Sequence, residues 1–88
     1  MEKRWTIVFK VLGNVNRIKI IKMLAGGGKM SVTQISEKLN ISLKSTSRHL
    51  SILQNLDLLE SEGKDGFVFY YANKKIPVDF KRAVSLFS

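Results

Sequence analysis

Apolar positions keep a helical period through the first half of this chain and shift to strand-like alternation from about Leu58. Trp5, Val8, Phe9 and Leu12 fall at the i, i+3, i+4, i+7 spacing of one face, predicting a helix over about 3–12. Gly13 and Asn14 interrupt it. A second helix is expected from about Asn16, with Ile18, Ile21 and Leu24 inward and Lys19 and Lys22 outward. Gly26-Gly27-Gly28 stops it, because three glycines lose too much backbone entropy in a helix interior.

Ser31 opens a third helix. With Gln34 it matches the capping-box pattern, in which each side chain satisfies the other residue's backbone amide. Ile35 and Leu39 share one face, and Asn40 suits the left-handed conformation that ends a helix. Ile41 is expected in the core, and Ser42 caps a fourth helix. There Thr46, Leu50 and Leu53 face inward, leaving Lys44, Ser45, Ser47, Arg48 and Ser51 outward. Leu58–Glu62 and Phe67–Ala72 read as a hairpin around the loop 63–66. Both of its faces are rather apolar. Pro77 suits the first turn of a last helix carrying Phe80, Val84 and Phe87 as a stripe. The expected class is mainly α with a small β-hairpin. Its order, α-α-α-α-β-β-α, is that of a winged helix-turn-helix in one domain over 1–88.

The 88 residues hold 15 Lys or Arg against 7 Asp or Glu, a formal net charge of +8. The excess lies entirely in residues 1–50, where the only acids are Glu2 and Glu37; residues 51–88 balance. A basic field over the two-helix segment favours a polyphosphate partner. The blander reading is a solvated basic surface. The absence of cysteine excludes disulfides, zinc–thiolate sites and a cysteine nucleophile. One histidine cannot build a His-rich metal site. Gly26-Gly27-Gly28 lacks the flanking strand and the Lys-Ser/Thr of a phosphate loop, and no carboxylate pair or triad appears. No enzyme activity, cofactor or metal is expected. No apolar run approaches the roughly 18 residues of a bilayer span, and Lys10 breaks the apolar character of the first segment. That segment reads as a helix of the fold, not a signal peptide, making the cytoplasm the default compartment.

The stretch 31–53 therefore reads as two short helices joined by a tight turn, the second of a size to enter a DNA major groove. Residues 12–73 resemble the ArsR-type winged-helix transcriptional repressors. The resemblance rests on Leu12-Gly-Asn-Val-Asn-Arg17-Ile18, Ile35-Ser-Glu-Lys-Leu39, and Ile41-Ser42 through Ser47-Arg48-His49-Leu50. It continues through Leu53 and Leu58 to a wing ending at Tyr71. The Ser-Arg-His-Leu tetrad is its most specific part. The resemblance implies a homodimeric regulator of double-stranded DNA. Its first and last helices would form the dimer interface through Trp5, Val8, Phe9, Leu12, Phe80, Val84 and Phe87. The same stripes read equally well as ordinary core faces.

Two departures narrow the resemblance. The cysteines and terminal histidine pairs of the family's metal sensors are absent, so sensing through those sites is not expected. Phe67 stands just after the wing glycine, where arginine is common, and Glu60, Glu62 and Asp65 crowd Lys64. Such a wing should attract phosphate weakly.

The expected DNA-binding residues are Ser42, Lys44, Ser45, Ser47, Arg48, His49 and Lys64, with Lys29 as a further cation. Arginine can pair bidentately with guanine, and short hydroxyls can reach phosphate or base. Ser42 has a stronger reading as a helix cap. Leu43 is expected to pack against the turn rather than touch a thymine methyl. His49 is structural or DNA-contacting. Arg17 and Lys22 belong to a solvated face. The leading function is a repressor on an inverted repeat, with half-sites roughly 34–36 Å apart. The alternative is a winged-helix protein-interaction module, which the acidic wing favours.

Overall fold

The computed structural model describes Lys10 and residues 13–73, and Asn14 caps the first helix whose bounds lie within them. Its Oδ1 accepts from the backbone N–H of Asn16 at 2.9 Å and of Arg17 at 3.3 Å, satisfying two amides that lack a partner within the helix. Helix α1 runs Val15–Ala25 and buries Ile18, Ile20, Ile21 and Leu24. Ile20 lies outside the expected inward set yet is fully buried, because α1 packs against neighbouring helices and also against a strand. Lys19 and Lys22 are exposed as expected. The chain leaves the helix through Gly26 and Gly27, whose φ of 95° is a left-handed backbone suited to glycine.

A short strand, β1 (Met30–Ser31), follows and was not legible as one. It pairs antiparallel with a later strand through Met30↔Tyr70 and Ser31↔Phe69. Ser31 also caps α2 (Val32–Leu39): its Oγ accepts from Gln34 N–H at 3.2 Å, and its own N–H donates to Gln34 Oε1 at 2.9 Å. The expected capping box is therefore present. Helix α3 (Leu43–Asn55) leads through Asp57 into β2 (Leu59–Lys64) and β3 (Phe67–Ala72). Asp57 has φ 60°. Its N–H bonds to Gln54 O and the N–H of Leu58 to Leu53 O, both at 3.0 Å, which is a Schellman closure of α3.

The sheet order is β1-β3-β2. The expected loop 63–66 shortens to the two-residue turn Asp65-Gly66. Gly63 and Lys64 are drawn into the strand opposite Val68 and Phe67. Both turn residues have positive φ, 52° and 82°, as a tight hairpin turn requires. Leu58 precedes the strand and is buried.

The core joins Ile18, Ile20, Ile21 and Leu24 of α1 to Ile35 of α2, Leu50 and Leu53 of α3, and Leu58 and Leu59. Met30, Tyr70 and Ala72 close it from the sheet. Ile41, expected in the core, is half-buried and stands outside this cluster. Apart from Lys10, which is helical, the predicted first and last helices, with the stripes of Trp5, Val8, Phe9, Leu12, Phe80, Val84 and Phe87, lie outside the described residues.

Candidate nucleic-acid interface

The turn between α2 and α3 is set by local chemistry. Asn40 takes the left-handed conformation (φ 56°, ψ 46°). Its N–H donates to Glu37 O and the N–H of Ile41 to Ser36 O, each at 3.2 Å. This Schellman motif closes α2 and turns the chain in three residues. Ser42 then caps α3, its Oγ accepting from Ser45 N–H at 3.0 Å. The capping reading of Ser42 is thus the one the geometry displays. Thr46 returns into the same turn, donating its Oγ1–H to Ser42 O at 2.9 Å, and is fully buried with its hydroxyl satisfied.

Thr46, Leu50 and Leu53 anchor α3 to the core. The opposite side carries Lys44, Ser47, Arg48 and Ser51, all exposed, with Ser45 exposed beside them. No carboxylate occurs between Glu37 and Asp57, so this surface is basic and hydroxyl-rich without an internal counter-ion. Leu43 departs from its expected packing: it is 52% exposed, because the first turn of α3 stands clear of the core.

His49 sits half-buried on the flank of α3 facing α1. Arg17 donates Nε–H to His49 Nδ1 at 3.3 Å and an Nη1–H to the backbone oxygen of Lys10 at 3.4 Å. Arg17 is therefore a tie between helices and not part of a solvated face. Burial, reinforced by the Arg17 and Arg48 charges, lowers the pKa of His49 below the usual imidazole range. Periodicity could not reveal this pair, because the two residues belong to different helices.

The wing has a different character. Cross-strand register aligns Glu60 with Tyr71, Glu62 with Phe69 and Lys64 with Phe67 on the face turned away from the core. Lys29 Nζ lies 2.7 Å from Glu62 Oε1 and 5.0 Å from the centre of the Tyr71 ring. The hydrogen bond to Glu62 is the main cause that raises its pKa. Lys29 is thus engaged with the wing rather than standing open for phosphate. Lys64 is exposed at the strand end beside Asp65, and Phe67 next to the turn is 60% exposed. Among the described residues, no group of three or more His, Asp or Glu side chains is placed to hold a metal ion. No described helix is long and apolar enough to cross a membrane.

A helix-turn-helix whose second helix is open on one side, followed by a hairpin, defines a winged-helix DNA-binding architecture. Residues 14–61 match the family model described as "Bacterial regulatory protein, arsR family", and the chain belongs to that family. Its relatives include the Transcriptional repressor SdpR of Bacillus subtilis, 36% identical over 72 residues, covering 82% of this chain and 79% of that protein. Among solved structures, HlyU from Vibrio cholerae is similar with a TM-score of 0.79 and 27% identity, across 99% of this chain and 94% of that one. A homodimeric winged helix-turn-helix DNA-binding domain from Mycobacterium bovis is similar with a TM-score of 0.73 and 26% identity, across 93% of this chain and 72% of that one. The family is one of DNA-binding transcriptional regulators, so the chain is a regulator and not an enzyme.

Proposed function

We propose that this protein is a repressor that binds an inverted-repeat operator as a homodimer, reading each half-site with α3. The observation that carries the reading is the acid-free outward face of α3, held by the buried Thr46, Leu50 and Leu53. Lys44 and Arg48 supply the charged contacts, Arg48 through a guanidinium fork of the kind that pairs bidentately with guanine. Ser45 and Ser47 supply short hydroxyl contacts. Ser42 contributes through its cap, His49 through the flank of the helix, and Lys64 as the wing's own cation. SdpR, named a repressor, and the homodimeric Mycobacterium bovis domain support repression and pairing. The terminal stripes, Trp5 to Leu12 and Phe80 to Phe87, are the proposed dimer contacts, within a single domain over 1–88. The chain contains no cysteine, which argues against a thiolate metal sensor.

Selection from a random duplex pool tests this directly. The expected product is a short palindrome with half-sites roughly 34–36 Å apart, bound with a strong salt dependence. Recovery of duplexes with no shared sequence overturns the specific-repressor reading. A protein-interaction module is the second reading, favoured by the acidic, aromatic outer face of the wing. It predicts DNA binding that is indifferent to replacement of both Lys44 and Arg48.

A further inference from the structure

We infer that Arg17 is a positioning residue for DNA binding: it fixes His49 in the tautomer whose outward Nε2–H donates to a phosphate oxygen of the operator backbone. The inference rests on the groove-binding reading above and extends it to a residue on a different helix.

The argument begins with hydrogen-bond chemistry. A guanidinium has donors only, so the contact from Arg17 Nε to His49 Nδ1 at 3.3 Å requires a lone pair on Nδ1. The proton of a neutral imidazole must then reside on Nε2. Among the described residues that nitrogen has no hydrogen-bond partner. No side-chain nitrogen or oxygen among them is both buried and unpartnered, so Nε2 keeps some contact with solvent on the half-buried ring. A donor is thereby left on the residue next to the exposed Arg48, on the flank of α3.

Arg17 is itself held at both ends. Its backbone N–H is capped by Asn14 Oδ1 at 3.3 Å, and its Nη1 reaches Lys10 O at 3.4 Å. The side chain that orients His49 therefore springs from the capped first turn of α1 and also reaches backbone that precedes this helix. Flanks of a groove-bound helix run beside the phosphate backbones, and a neutral donor there serves register rather than sequence discrimination.

Two asparagine-type replacements separate the roles of the ring nitrogens. In His49→Asn, the amide oxygen can take the place of Nδ1 toward Arg17, but nothing reaches the Nε2 position. In His49→Gln, the amide nitrogen can reach the Nε2 position, but the acceptor for Arg17 is lost. The selected operator duplex is the probe, with fluorescence anisotropy as the readout and thermal melting as the check on folding. His49→Asn is expected to fold normally and to bind about tenfold more weakly, the loss of one hydrogen bond to a charged group. Its salt slope should stay unchanged, because a neutral donor releases no counter-ion. His49→Gln is expected to bind more tightly than His49→Asn.

Nitrogen-15 NMR of the free protein reads the tautomer independently. One resonance should report a protonated Nε2 and a bare Nδ1, and Arg17→Met should shift it to a tautomer mixture. Wild-type affinity in His49→Asn overturns the phosphate contact. A protonated Nδ1, or a tautomer indifferent to Arg17→Met, overturns the positioning role of Arg17. Failure of the wild-type protein to bind any duplex overturns the DNA-binding reading itself, and the NMR result still decides the role of Arg17.

Discussion

Lys29 and Glu62 meet at 2.7 Å and tether the outer face of the wing to the segment that leads into α2. Both side chains remain about half exposed, at 50% and 43%. A pair this wet contributes little to stability. Its consequence is electrostatic: a cation that could serve DNA is held against a carboxylate and the Tyr71 ring. Glu62→Gln removes that carboxylate and releases Lys29. With the wing alongside the duplex, operator affinity should rise severalfold at low salt. The log–log salt slope should steepen by about one contact. An unchanged slope places the wing away from the phosphates.

Lys44 and Arg48 project from α3 without touching the core, so their loss should spare the fold. Lys44→Ala should weaken binding to all duplexes alike and reduce the salt slope by about one. Arg48→Ala should lower operator affinity by about 1–3 kcal/mol and relax preference at one base pair, if that arginine pairs with guanine. Anisotropy titrations on the selected operator and on single-base variants of it distinguish the two. Equal losses on every duplex for Arg48→Ala assign it to phosphate instead.

Much of the helix-turn-helix was legible because its determinants are local. The Ser31–Gln34 box, the Ser42 cap, the left-handed Asn40 and the inward set Thr46, Leu50 and Leu53 each follow from a few adjacent residues. What was missed depends on non-local pairing. Met30–Ser31 is too short to alternate visibly and becomes a strand only because β3 lies beside it. Ile20 is buried by a sheet that its own helix pattern does not announce. Arg17 and His49 are separated by 32 positions, and only the packing of α1 on α3 brings them together. The wing turn was placed too wide because Gly63 and Lys64 read as loop residues, whereas the tight turn needs only Asp65 and Gly66.

Asn40 controls the angle between α2 and α3 through a left-handed backbone (φ 56°). Side chains with a Cβ pay roughly 1–2 kcal/mol in this conformation, with asparagine among the best tolerated. Asn40→Ala should therefore destabilise the fold by about 1 kcal/mol, whereas Asn40→Gly should be close to neutral. Urea unfolding monitored by circular dichroism measures both. Matching midpoints for the alanine and glycine variants would show that the turn tolerates another geometry.

The neutral His49 makes stability depend on pH with a definite sign. Burial and the charges of Arg17 and Arg48 hold its folded pKa below that of the unfolded chain, near the usual value of about 6.5. Above that value the imidazole is neutral in both states, and the contribution of the Arg17–His49 contact is fully present. As pH falls below it, the unfolded chain takes up the proton first, and linkage shifts the balance toward unfolding. The loss continues down to the lowered folded pKa. There Nδ1 becomes a donor and can no longer accept from Arg17. Melting temperature should therefore fall more steeply between about pH 7 and pH 5 for the wild type than for His49→Asn, whose side chain does not titrate. Arg17→Met should flatten part of the same drop by removing one of the two repelling cations. Parallel melting profiles for all three proteins across this range would rule out His49 as the titrating group.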